Sequence, residues 1–173
     1  MTMPRINSAA GLTARRNEIL SRKDPGKPAI AVCYGAGCQG LDNGELIRAF
    51  QTEIEKENLA GTVDIRATGC HGMCERGPNV VIYPEEICYV QVAPEDVPEI
   101  VQQTVQNKKV VDRLVWTDAV SGETAVHVNE IPFYKHQSRN LIGSNPRIDP
   151  AKIDDYIGIG GYAALSKALF EMK

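Results

Sequence analysis

Nowhere in the chain do the roughly 20 consecutive apolar residues needed to cross a bilayer occur. The opening Met1-Thr2-Met3-Pro4-Arg5 has no apolar core of signal-peptide length. A membrane span and a secretory route are therefore not expected, and the expected compartment is the cytoplasm. An excess of positive charge is also missing. The formal net charge is −3, and basic residues are scattered apart from Arg15-Arg16 and Lys108-Lys109, so nucleic acid is not an expected partner. No fixed-period repeat or low-complexity tract is present. With 173 residues there is room for one domain with a real core and a smaller appendage.

Cysteine is scarce too, at five residues, but four of the five are concentrated. Cys33-x4-Cys38 and Cys70-x3-Cys74 form two tight pairs separated by one helix-length segment, and Cys88 stands apart. In a reducing compartment, clustered cysteines read as metal ligands or redox groups before structural disulfides. Loops that hold iron through thiolates must curl so that backbone amides face the sulfurs, and glycine permits this. Gly35, Gly37 and Gly40 surround the first pair, and Gly69, Gly72 and Gly77 the second. The reading is a metal site, with a [2Fe-2S] cluster first and Cys33, Cys38, Cys70 and Cys74 as its ligands. Structural zinc also takes four thiolates, though usually at tighter C-x2-C spacing. Thioredoxin-like dithiol chemistry needs a C-x-x-C that is absent. Rieske ligation needs two histidines in matched positions, and only His71 lies near a cysteine. Cys88, inside an alternating strand pattern, reads as a small buried hydrophobe outside the site. No side chain is assigned a catalytic role.

The segments around these pairs alternate. Residues 8–22 have helical character and end at Asp24-Pro25-Gly26. Pro28 to Cys33 reads as a buried strand that delivers Cys33 at its end. From Asp42 or Asn43, both candidate N-caps, Leu46, Ile47, Phe50 and Ile54 recur at helical spacing. Val63 to Ala67 predicts a second strand, leading to Cys70. Residues 79–83 and 87–92 predict a hairpin, and Pro94 opens a helix carrying Val97, Ile100, Val101 and Val105. The expected organisation is an N-terminal helix or tail over 1–27, an α/β domain over 28–108, an extended linker over 109–145 and a helical segment over 146–173. Gly158-x-Gly160-Gly161 follows no predicted strand, so a joint between helices is expected there rather than a phosphate loop.

The run Val32-Cys33-x-Gly35-x-Gly37-Cys38, the run Thr68-Gly69-Cys70-His71-Gly72-Met73-Cys74-Glu75-Arg76-Gly77-Pro78 and the hairpin strands after it resemble the thioredoxin-like [2Fe-2S] ferredoxin domain over residues 28–108. That domain occurs alone in some ferredoxins, in a small subunit of complex I, and fused ahead of certain flavoprotein subunits. A second stretch, running Ile131 to Arg139, Arg147 to Pro150 and Asp155 to Leu165, is similar to the opening of the NADH-binding flavoprotein subunit. The two resemblances together imply the N-terminal part of an NAD(H)-dependent, flavin-containing oxidoreductase subunit of the bifurcating or NAD-linked hydrogenase or formate dehydrogenase type. In that case FMN, NAD and a [4Fe-4S] cluster belong to a continuation beyond Lys173, and this chain is a redox component lacking flavin and NADH sites of its own. Its implied partners are other iron–sulfur and flavin subunits of a multi-subunit oxidoreductase. The alternatives are a free-standing thioredoxin-like ferredoxin and a zinc-stabilised interaction domain.

Overall fold

The computed structural model describes residues 5–39 and 43–172. Gly40 and Asp42, named above as a loop glycine and a helix cap, lie outside the described residues. Two compact units divide the chain, Gly26–Ile148 and the pairing of Met1–Pro25 with Asp149–Lys173.

The larger unit is built on a four-stranded sheet of β1 (Ala29–Cys33), β2 (Asp64–Thr68), β3 (Val80–Tyr83) and β4 (Ile87–Tyr89), in the order β2-β1-β3-β4. β1 runs parallel to β2, with Cys33 opposite Thr68, and antiparallel to β3. It is an unbroken apolar run because both of its faces are covered: all five residues are buried.

One face is covered by helices. Numbering α1 (Ala9–Ser21) and the one-turn α2 (Ala36–Gln39) first, α3 spans Asn43–Lys56. Leu46, Phe50 and Ile54 lie four apart along it and pack with Ile30, Val32, Val80 and Ile82. Each such fully buried side chain contributes about 1.5–3 kcal/mol. The second covering helix, α4, begins as a 3-10 turn at Pro94–Asp96, continues through Val97–Glu99 and ends as a π-helix over Ile100–Gln106. Its entry is capped by Asp96, whose carboxylate accepts the Ala93 N–H at 2.8 Å.

The opposite face is closed by the stretch after α4. It carries a short hairpin of β5 (Trp116–Thr117) and β6 (Thr124–Ala125) and the one-turn α5 (Pro132–Lys135). Ala125, Ile131 and Tyr134 pack with Ala31, Val81, Cys88 and Met73 to form the second core cluster. Single bridges, Tyr89 to Val115 and Ile87 to His127, attach the stretch to the outer strand β4. That edge is thereby removed from solvent pairing.

In the smaller unit α1 packs with α6 (Ile153–Gly158) and α7 (Ala163–Phe170). Ile19 and Ile157 are its buried apolar residues, and Arg15 bonds Asp154 at 2.6 Å. The glycine segment joins α6 to α7 as expected: Gly160 has φ +97°. A side chain on Gly161 would run into the ring of Tyr156, which makes an edge-on contact with Tyr162. Among the described residues no helix is long and apolar enough to cross a membrane.

Candidate metal centre

The parallel pairing of β1 and β2 ends both strands on the same side of the sheet, so the loops that follow meet. Cys33 is the last residue of β1, and Cys38 sits on α2 just after it. Cys70 lies two residues beyond the end of β2, and Cys74 opens a 3-10 turn over Cys74–Arg76. The loops touch at Gly35, where an added Cβ would lie 3.1 Å from the Cβ of Cys70.

All five thiols are free. The Cys33 and Cys38 sulfurs are 3.0 Å apart and those of Cys70 and Cys74 are 4.0 Å apart. Two thiolates on one tetrahedral metal with bonds of about 2.3 Å stand roughly 3.8 Å apart, so small side-chain rotations bring both pairs to ligand spacing. Among the described residues no group of three His, Cys, Asp or Glu side chains is poised around a single ion. Two close sulfur pairs are a donor set that would suit a two-iron cluster, which takes four thiolates.

The pairs differ in exposure. Cys33 and Cys38 are buried, Cys70 is intermediate and Cys74 is exposed. Burial pushes the Cys38 thiol up to about 12, and the hydrogen bond and charge of Cys33, then the charges of Cys74 and Cys70, push in the same direction. Cys74 is likewise raised, by burial first and by Cys70 next. A metal cation that binds these thiols would take up the thiolate form, so loading releases protons from Cys38 and Cys74.

Buried hydrogen bonds brace the loops. Asn43 Nδ2 donates to the Cys33 carbonyl at 2.6 Å, and Asn79 Nδ2 donates to the Met73 carbonyl at 2.9 Å. The backbone N–H of Gly72, held at φ +91°, donates to the Cys70 sulfur at 3.2 Å. Thr68 Oγ1 donates to the Val32 carbonyl at 3.0 Å, which leaves it to accept from His71 Nε2 at 2.8 Å. His71 therefore carries its proton on Nε2. Burial, with the charge of Arg139 adding to it, lowers its pKa to about 4, so it is neutral at pH 7. It is a loop residue near the site, as read from the sequence.

Cys88 lies in β4, paired opposite Val81 and 1% exposed. Asn79, Thr68, Asn145 and Arg139 were not anticipated as contributors. Asn145 Nδ2 donates to the Cys70 carbonyl at 3.4 Å from 75 residues away, and no local sequence pattern signals such a contact.

Residues 17–105 match the family described as thioredoxin-like [2Fe-2S] ferredoxin. Among characterised proteins, a 2Fe-2S ferredoxin of Clostridium pasteurianum is 39% identical over 77 residues, covering 44% of this chain and 76% of that protein. Another, from Aquifex aeolicus, is 37% identical over 94 residues, covering 54% and 79%. A solved thioredoxin-like [2Fe-2S] ferredoxin from Aquifex aeolicus matches at 33% identity, with a TM-score of 0.49, over 55% of this chain and 94% of that one. The chain belongs to the thioredoxin-like [2Fe-2S] ferredoxin family, an α/β fold followed here by a short C-terminal helical segment. Its cofactor is a [2Fe-2S] cluster.

These matches correct the second resemblance. The family match ends at residue 105, and both relatives are ferredoxins rather than flavoprotein subunits. The Asp155–Leu165 stretch forms α6, the glycine joint and the start of α7, which close on α1 as a small helical unit. A helical apolar pattern records that a helix buries a face, not what it buries it against. The assignment to an NAD(H)-dependent, flavin-containing oxidoreductase subunit is overturned with that resemblance.

Proposed function

We propose that this protein is a one-electron carrier in which Cys33 and Cys38 hold one iron of the [2Fe-2S] cluster and Cys70 and Cys74 the other. When bound, the cluster supplies storage for a single electron at low potential. The observation that carries the ligand assignment is the meeting of the two cysteine loops at Gly35 and Cys70, which sets two sulfur pairs side by side.

The chain's own residues divide the remaining work. Cys33 and Cys38 anchor the site in the core, where Asn43 fixes the Cys33 carbonyl. Cys70 and Cys74 face outward, so electrons pass on the side of the second loop. The Gly72 amide at the Cys70 sulfur favours added negative charge there. The carrier domain is taken as residues 28–108, its partners as proteins bearing flavin or iron–sulfur centres, and its compartment as the cytoplasm, where free thiols persist for cluster loading.

The test is an anaerobic visible spectrum before and after dithionite, with iron and acid-labile sulfide assayed on the same sample. A reddish-brown chromophore that bleaches on reduction, with about two irons and two sulfides per chain, is expected. A colourless protein holding stoichiometric zinc, with oxygen excluded throughout, overturns the reading.

A further inference from the structure

The segment from Phe133 to Asn145 lies outside the 17–105 family match, yet it runs along the second cysteine loop. A methyl group on Gly72 would lie 3.4 Å from Ile142 Cδ1 and 3.9 Å from Phe133 Cε1, and Gly69 is as closely approached by Asn145. Within this strap Arg139 is held in place. Its guanidinium carbon lies 4.4 Å from the centre of the Tyr134 ring, and Tyr134 is buried in the core cluster beneath the sheet. The Arg139 carbonyl is packed against Gly143, where a side chain has no room.

Among the described residues no carboxylate pairs with this guanidinium. Its Nη1 is sealed from solvent and has no hydrogen-bond acceptor. Glu86, the carboxylate lining the same groove, is taken by Arg147 at 2.8 Å. A partly buried cation with no anion beside it is costly unless an opposite charge is nearby. Tyr134, on which Arg139 stacks, shares a core cluster with Met73, which lies between Cys70 and Cys74, and Asn145 at the end of the strap donates to the Cys70 carbonyl at 3.4 Å. Four thiolates outweigh the charge of the oxidised cluster they hold, and each electron added makes the site more negative.

We propose that Arg139, stacked on Tyr134 in the strap that covers the second cysteine loop, is a positioning cation that raises the reduction potential of the site. The inference rests on the one-electron reading above and names the residue that sets its potential. Charge alone accounts for the effect, so a lysine at this position preserves much of it and a neutral side chain does not.

The experiment is a dithionite titration of the full-length protein, followed by visible absorption and electron paramagnetic resonance, on wild type, Arg139→Gln and Arg139→Lys. Arg139→Gln is expected to keep its iron, sulfide and oxidised spectrum while its midpoint falls. A fall of about tenfold in the reduced-to-oxidised ratio corresponds to about 59 mV for one electron. Arg139→Lys should return most of the way to wild type. If the glutamine variant fails to load, Arg139→Met, which can still pack on Tyr134, must show the same fall. A loaded neutral variant with an unmoved midpoint overturns the inference alone. A wild-type protein without a chromophore overturns the one-electron reading and, with it, the inference.

Discussion

Gly35 lies against Cys70 across the two cysteine loops, so closely that a methyl group on Gly35 would sit 3.1 Å from the Cys70 Cβ and 3.3 Å from its Cα. The neighbour is backbone and Cβ rather than the tip of a flexible side chain, so the loops must separate to admit an alanine. Gly35→Ala is expected to cost about 1–3 kcal/mol through overpacking and to lower cluster occupancy in the same step. Gly37 is the control, because among the described residues nothing lies within 4 Å of its added Cβ. Iron per chain and the thermal midpoint, measured on both variants, check this. Full loading of Gly35→Ala would show that the loops can part without harm.

Serine in place of Cys38 keeps the size of the side chain but replaces a buried thiol, proposed above as a ligand, with a hydroxyl. Loss or strong weakening of the cluster is expected, with iron and sulfide well below wild type. Cys88→Ser is the contrasting case. Cys88 is fully buried in β4 among apolar neighbours, so an unpaired hydroxyl there costs about 1–3 kcal/mol of stability, while the cluster remains. Visible absorbance and denaturant midpoints should therefore move in opposite patterns for the two variants. Equal cluster loss in both would remove the distinction between ligand and core cysteine.

The Tyr89 hydroxyl ties three parts of the larger unit together. It lies 2.5 Å from Thr104 Oγ1 on α4 and accepts the Val111 N–H at 3.0 Å. Thr104 Oγ1 in turn lies 2.9 Å from the Lys109 carbonyl, its hydrogen-bond acceptor. Tyr89→Phe leaves the buried Val111 N–H without its acceptor, at a cost of about 1–3 kcal/mol. Urea unfolding should show a lowered midpoint with an unchanged slope. The oxidised spectrum should be unaltered, because none of these groups touches a cysteine loop.

The legible part of this molecule was its local part. Cys33 ends a short apolar run and Cys70 follows a second strand, so the cysteine pairs could be placed at strand ends by periodicity alone, and the Leu46, Phe50 and Ile54 stripe announced the helix between them. The parallel pairing of β1 with β2, which joins the two loops, was not legible, because spacing along the chain does not say which strands lie side by side. What covers the second face of the sheet was not legible, because Ala125, Ile131 and Tyr134 carry no helical or alternating pattern and act through contacts far along the chain. The same holds for Asn79, Thr68 and Arg139, single polar residues whose partners are fixed only by the fold. In the tail, Leu165 and Phe170 correctly signalled a helix, and the step from that helix to a flavoprotein was where the reading failed.

Removing the cluster should expose a graded set of thiols. In the apo protein the attacking species is the thiolate, and access matters as well as ionisation. Cys74 is exposed, Cys38 is buried and pushed up to about 12, and Cys88 is buried and also pushed up to about 12 by desolvation. A raised pKa leaves the protonated thiol dominant at neutral pH. The thiolate fraction of Cys38 then grows about tenfold for each pH unit up to its pKa. Iodoacetamide at pH 8, followed by peptide mass spectrometry, should label Cys74 first, Cys38 far more slowly, and Cys88 only on unfolding. Raising the pH from 8 to 10 should accelerate Cys38 by about tenfold per pH unit, at whatever rate its burial allows. If the proposed ligand set holds the cluster, all four site cysteines should be protected together in the loaded protein and Cys88 should behave as before.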